Sequence, residues 1–168
     1  VRLYQDRAFG LCLRFLEERE EARDATQETF LRAWRWRRSY RPASPFPAWL
    51  AAIAANLCRD RLRHRGRWGE EPLEAAEEPS DPGGGGPAGQ QPDRPLEQAE
   101  LGVMLRKAIG ALAAEFRMAV ILRELEGLSY EEIARAMDCS VGTVRSRLFR
   151  ARQALRELLG PYRDEGGT

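Results

Sequence analysis

A chain of 168 residues, 43% hydrophobic and 32% charged, has room for compact helical cores but not for a single large one. The longest apolar stretch, Ala48 to Cys58, is interrupted by Asn56 and runs into arginines, far short of the ~20 residues that cross a bilayer, so membrane insertion is excluded and a soluble protein is expected. Cys12, Cys58 and Cys139 form neither a CxxC pair nor an even set, and the N-terminus has no basic, apolar, small-residue leader; a cytoplasmic protein with reduced thiols acting as small core residues is expected.

The net charge of +1 conceals a strong asymmetry. Asn56 to Arg67 holds five arginines against one aspartate, and Thr143 to Arg156 holds five with no acid. Between Glu70 and Glu100, nine carboxylates face only Arg94. Two basic segments on either side of an acidic connector suit a protein that touches polyanions at two places.

The first part, to about Arg67, is helical in composition and broken only by Pro42, Pro45 and Pro47. A helix from Ala48 places Leu50, Ile53, Ala54, Leu57 and Cys58 on a core stripe, with Asn56, Arg59, Asp60 and Arg63 opposite. That opposite face reads either as a nucleic-acid surface or as a solvated face held by alternating charges. Phe46 and Trp49 read as core anchors. From Pro72 to Pro95, proline, the Gly83 to Gly86 run and scattered acids replace the helical pattern, which is the composition of a flexible linker. The expected division is 1–68 and 96–162 as helical domains, 69–95 as linker and 163–168 as a disordered tail.

In the second part a helix from about Ala111 carries Leu112, Phe116, Val120 and Ile121 on one stripe, and Gly127 can end it in the left-handed region. Ser129 with Glu132 three residues on is a capping box that starts a short helix with Ile133, Ala134 and Met137 inward. Asp138 tolerates positive φ, and Ser140 can cap a third helix whose buried stripe is Val144, Leu148, Ala151, Leu155 and Leu158. Two helices joined by a tight turn, the second one basic, describe a helix-turn-helix. Arg145, Ser146, Phe149 and Arg150 are the base-facing candidates, while Arg147 and Arg152 diverge towards phosphates; Phe149 could instead pack under a loop. His64 is the only histidine, and with no ligand cluster, phosphate loop or activated nucleophile, no metal, cofactor or catalytic site is expected.

The stretch Asp24-Ala25-Thr26-Gln27-Glu28-Thr29-Phe30-Leu31-Arg32-Ala33-Trp34 resembles the polymerase-binding helix of the sigma-70 family. Phe46-Pro47-Ala48-Trp49-Leu50 with Ile53-Ala54-Ala55-Asn56 resembles its promoter-melting segment. Leu128 to Ala134, then Val141 to Leu148 and Arg150-Ala151-Arg152, resemble the fourth conserved region of extracytoplasmic-function sigma factors. The resemblance implies an all-α protein of two small helical domains, the second a helix-turn-helix, acting in transcription initiation without chemistry of its own. It implies that Asp24, Gln27, Glu28 and Arg32 dock on the beta-prime clamp of RNA polymerase core, with Phe30 and Trp34 partly buried beneath. Asn56, Arg59 and Arg63, with Tyr40 in the loop to Pro47, would face the minus-ten element as single-stranded DNA. The C-terminal helix would read the minus-thirty-five element as duplex, beside the beta flap. The resemblance further implies an anti-sigma factor as regulator. Pro42, Pro45 and Pro47 make the minus-ten loop poor in side-chain donors, a departure from the family pattern, and Val1 falls inside what should already be the first helix, so upstream residues are expected. A helix-turn-helix repressor or activator binding palindromes as a dimer is the competing reading of the second part alone.

Overall fold

The fold is taken from a computed structural model that describes residues 2–42, 44–69 and 95–164; the connector 70–94, with the linker expected there, and residues 165–168 lie outside the described residues. Three helices form a first unit: α1 (Arg2–Leu16), α2 (Arg19–Arg35) and α3 (Phe46–His64). Glu17 turns the chain at φ 60°, and the Glu18 carboxylate caps α2 by accepting from the amides of Glu20 and Glu21 at 3.0 and 2.7 Å. Acids in the first turn of α2 and Arg32 and Arg35 in its last match the helix dipole. Its inner face is made of small residues, Ala22, Ala25, Thr26, Thr29 and Ala33. Burying the two threonines leaves no orphan hydroxyl, because Thr26 and Thr29 donate to the carbonyls of Ala22 and Ala25 at 2.6 and 2.7 Å.

On α3 the expected stripe, Leu50, Ile53, Ala54, Leu57 and Cys58, is buried throughout. The helix begins at Phe46, with Pro47 in its first turn, where the missing amide hydrogen costs nothing. Phe46 and Trp49 are half-buried in an aromatic cluster with Tyr4 and Tyr40, ring centroids 5.0–5.8 Å apart.

The second unit comprises α4 (Pro95–Gly110), α5 (Ala114–Val120), α6 (Tyr130–Met137) and α7 (Val141–Asp164). The helix expected from Ala111 starts three residues later, since the amides of Ala111 and Leu112 bond back to Lys107 and Ile109 and close the end of α4. Beyond α5 the chain widens over Ile121–Leu125, where the Glu126 amide reaches the Ile121 carbonyl at 3.1 Å, and Gly127 then reverses it at φ 71°. The capping box forms as expected, with Glu132 N to Ser129 Oγ at 3.1 Å and Ser129 N to Glu132 Oε2 at 2.8 Å. Asp138 takes φ 51°, and Ser140 Oγ accepts from the Thr143 amide at 3.1 Å to start α7. Val144, Leu148 and Ala151 are buried and Leu155 partly so, but Leu158 is exposed, because the last turns of α7 run past the core. The helix continues to Asp164, into the segment expected as a disordered tail.

The two units are packed together. Leu11, Phe15 and Leu62 from the first share one contiguous core with Met118, Ile133 and Leu148 from the second, and Trp68 is buried there as well.

Candidate nucleic-acid interface

The N-terminal half of α7 leaves the turn with Arg145 and Phe149 exposed and Ser146 and Arg150 half-buried. Among the described residues no loop covers Phe149, which is 43% exposed on the basic face. Arg152 is held by Glu124 at 2.8 Å. Arg147 departs from expectation. Rather than diverging towards solvent it is 4% exposed, its guanidinium 5.3 Å from the centre of the Trp68 ring, with Nη2 3.5 Å from the Gly69 carbonyl and with Nε and Nη1 unpartnered. The cause is tertiary: residues 68–69 lie across that side of α7.

A similar correction applies on α3. Asn56 is half-buried on the wall of a cleft of about 560 Å³, which Trp49, Ile53, Glu132 and Arg135 also line. Arg59, expected on an open face, is 5% exposed beneath α6, where it donates to the Ala136 carbonyl at 3.1 Å and to Asp60. Arg63 is exposed, 3.8 Å from the Asp138 carboxylate. Tyr40 braces its loop, its hydroxyl donating to the Ser44 carbonyl at 2.9 Å and its ring 5.1 Å from that of Trp49.

On α2, Asp24 and Gln27 are exposed, and Glu28 and Arg32 pair at 2.9 Å, a contact that holds the Glu28 carboxyl below its usual value. Phe30 is partly buried among Ala8, Ala33, Leu50 and Ile53, as expected. Trp34 is not: it is 67% exposed, with Arg37 4.2 Å above its ring. Leu31 is exposed on the same helix, so α2 presents an apolar patch among its charges that the charge pattern alone hid.

The structure also singles out residues that the sequence reading passed over. Arg117 links both units through the carbonyls of Gly110 and Phe15 and the Glu17 carboxylate. Glu115 accepts from the Gly69 amide at 3.3 Å, and a Cβ at Gly69 would collide with that carboxylate. A tryptophan closing an arginine run was the available signal for Trp68. Cys12 and Cys58, far apart in sequence, meet through a thiol hydrogen bond that lowers Cys12 and, together with burial, pushes Cys58 well up. Among the described residues no cluster of histidine, cysteine and carboxylate could hold a metal, and no helix is long and apolar enough to cross a membrane.

A basic helix-turn-helix joined to a three-helix unit with its own basic helix defines a two-part nucleic-acid-binding protein. Two family descriptions match these parts in order: Sigma-70 region 2 over residues 1–67 and Sigma-70, region 4 over residues 102–155. The chain is 39% identical to the RNA polymerase sigma-H factor of Pseudomonas aeruginosa, over 94% of this chain and 83% of that one. It is equally identical to the ECF RNA polymerase sigma-E factor of Haemophilus influenzae, over 96% and 86%. Among solved structures it resembles the sigma factor RpoE of Bartonella quintana in complex with the anti-sigma factor NepR, with a TM-score of 0.60 and 29% identity over 94% of this chain and 92% of that one. CnrH in complex with the cytosolic domain of CnrY gives a TM-score of 0.56 and 25% identity over 96% and 85%. The chain belongs to the sigma-70 family, in its extracytoplasmic-function (ECF) group.

Proposed function

We infer that this protein is an alternative sigma factor that binds RNA polymerase core and directs it to specific promoters. The observation that carries the reading is the pairing, in family order, of a region-2 unit with a region-4 helix-turn-helix in one chain. The exposed apolar and charged face of α2, with Asp24, Gln27, Arg32 and Trp34, is the surface assigned to the polymerase clamp. Phe30 supports it from behind, and Glu28 positions Arg32.

Asn56, Arg59, Arg63 and the Tyr40 loop are assigned to the minus-ten element, where binding of an extruded base offsets the few kcal/mol lost on unstacking it. Arg145, Ser146, Phe149 and Arg150 are assigned to base edges of the minus-thirty-five duplex, and Arg147 and Arg152 to phosphates beside it. Residues 1–68 and 96–162 are taken as the two functional domains. The protein makes and breaks no bonds, acts in the cytoplasm, and is held in check by an anti-sigma factor, in keeping with the anti-sigma factor NepR bound to the structural relative RpoE.

The test is run-off transcription from fragmented genomic DNA with purified core polymerase, with and without the protein. New start sites sharing upstream motifs at two fixed distances are expected. No new starts, together with binding of the protein alone to palindromic duplexes, would favour a dimeric regulator instead.

A further inference from the structure

Arg152, assigned above to a phosphate, donates from Nη2 to Glu124 Oε1 at 2.8 Å. Glu124 owes its place to a local irregularity. In a regular helix it would stand one turn beyond Val120 and Ile121, both buried, and would face the core. The chain instead widens over Ile121–Leu125, with the Glu126 amide bonded to the Ile121 carbonyl, and the Glu124 side chain is left half-exposed beside α7. The widened turn is firmly held. Ile121 and Leu122 are fully buried, and the Leu128 amide donates to the Leu122 carbonyl at 3.0 Å. Arg123 donates to the Leu128 carbonyl at 3.0 Å, with its guanidinium 4.9 Å from the centre of the Tyr130 ring. A carboxylate on such a base is a fixed anchor for a long, flexible cation.

We propose that Glu124 is a positioning residue for the promoter duplex: it holds the Arg152 guanidinium towards one phosphate and, by its own charge, keeps that arginine from adding affinity for DNA of any sequence. The proposal rests on the promoter-recognition reading above and deepens it.

Arg152 lies seven residues beyond Arg145, about 10 Å further along α7, and the major groove is about 12 Å wide, so an arginine there meets the edge of the groove rather than its floor. Phosphate contacts at that edge set register without reading sequence. An untethered arginine would supply the charge but little register, because it reaches phosphate in many rotamers and loses that freedom only on binding. Glu124 changes both. A guanidinium carries five N–H donors in a rigid fork, so a carboxylate on one nitrogen fixes its plane and still lets a phosphate take others. The pair is also neutral as a whole, so it attracts a polyanion in the wrong register less than Arg152 by itself would. Both effects widen the difference in affinity between the promoter and other duplexes.

The experiment compares the parent chain with Glu124→Gln, Glu124→Asp, Arg152→Ala and Arg152→Ala/Glu124→Gln, each as holoenzyme with purified core polymerase. The templates are a promoter mapped by the run-off assay above and the same promoter with its upstream motif scrambled. Run-off rates at low holoenzyme concentration are read on both templates over a range of salt. Glu124→Gln should raise the rate on the scrambled template about threefold to fivefold and change it less than twofold on the intact one. It should also steepen the log–log salt dependence by about 0.9, the slope of one added phosphate contact. Glu124→Asp keeps the charge but is too short to hold Arg152 in place, so the rate should fall on the intact promoter with no gain on the scrambled one. With Arg152 already alanine, Glu124→Gln should leave the ratio of the two templates unchanged, a result that a purely structural role for Glu124 does not predict. An unchanged ratio in Glu124→Gln, parent-like behaviour of Glu124→Asp, or an equal fall in the ratio in the Arg152→Ala background would each overturn the proposal. A parent chain that starts transcription alongside such a result loses the positioning role and keeps the sigma function, whereas a parent that starts none loses both.

Discussion

Replacing Arg117 by methionine sets the bonds of a buried guanidinium against the cost of burying it. The side chain is almost fully enclosed; Nη1 donates to the Gly110 carbonyl at 3.0 Å and more weakly to Leu112 at 3.4 Å, and Nη2 donates to Phe15 at 3.3 Å. Phe15 and Gly110 lie in the last turns of α1 and α4, where carbonyls lack helical partners and the dipoles favour a cation. Hydrogen bonds to a charged group contribute about 1.5–3 kcal/mol each, and the three unequal bonds here count as about two. The Glu17 pair, at 3.0 Å but with that carboxylate half-exposed, adds less than about 1 kcal/mol. Methionine fills similar space and recovers part of the desolvation cost, a few kcal/mol, though it leaves carbonyls of two helix ends unpaired. A net loss of about 2–3 kcal/mol is expected, or roughly 4–12 °C in Tm for a chain of this size. Thermal and urea unfolding followed by helical circular dichroism measure it. Arg117→Lys should remain well below the parent, because a point charge on a flexible stem cannot span separated acceptors. An unchanged or raised midpoint in Arg117→Met would mean that burial of the charge costs more than its bonds return, and the reasoning would fail.

Three further outcomes are expected. Ser129→Ala removes the oxygen that caps the Glu132 amide and should lower stability by about 1 kcal/mol in urea titration, a large share of what holds an eight-residue helix. Arg150→Ala should relax base preference in a binding-site selection, whereas Arg152→Ala should weaken binding evenly across sequences and flatten its salt dependence; equal, sequence-independent losses would refute that division. The Cys12 thiol contact and burial raise Cys58 above the ordinary thiol value of 9.0, so the folded chain holds that proton more tightly than the unfolded one. Its contribution is therefore complete below about pH 9 and declines as pH rises further. Cys58→Ala should flatten the alkaline side of the stability profile, and an unchanged slope would show that the thiol does not govern it.

Local signals in this sequence translate directly into local structure. The Ser129–Glu132 box, Asp138 in the left-handed region, the Ser140 cap and the α3 core stripe depend on residues within a turn or two of one another, and all form as the spacing dictates. The helix expected from about Ala111 starts at Ala114 because alanine and leucine favour a helix without specifying where the previous one stops. Arg59 and Arg147 are buried, not exposed, for a deeper reason. Helical periodicity assigns a residue to a face of its own helix, and whether another unit covers that face is decided by contacts 77 and 78 residues away. Trp34 shows the converse, a tryptophan exposed on α2 where the resemblance implied partial burial. The meeting of Cys12 with Cys58 is likewise a product of packing α1 on α3, with no trace in their spacing.

Several charges of the two units are matched inside the fold. The second unit carries its basic helix and, elsewhere on its surface, the acids Glu115, Glu126, Glu132 and Asp138, all turned towards the first unit. Arg7, Arg63 and the Ser44 hydroxyl meet three of them, and the Gly69 amide meets the fourth. The protein thus supplies its own counterions for Arg7 and Arg63, and Glu124 does the same for Arg152 on α7. Arginine suits the buried positions 59 and 147 better than lysine would, because its weakly hydrated, planar head can lie on Trp68 or donate to a backbone carbonyl.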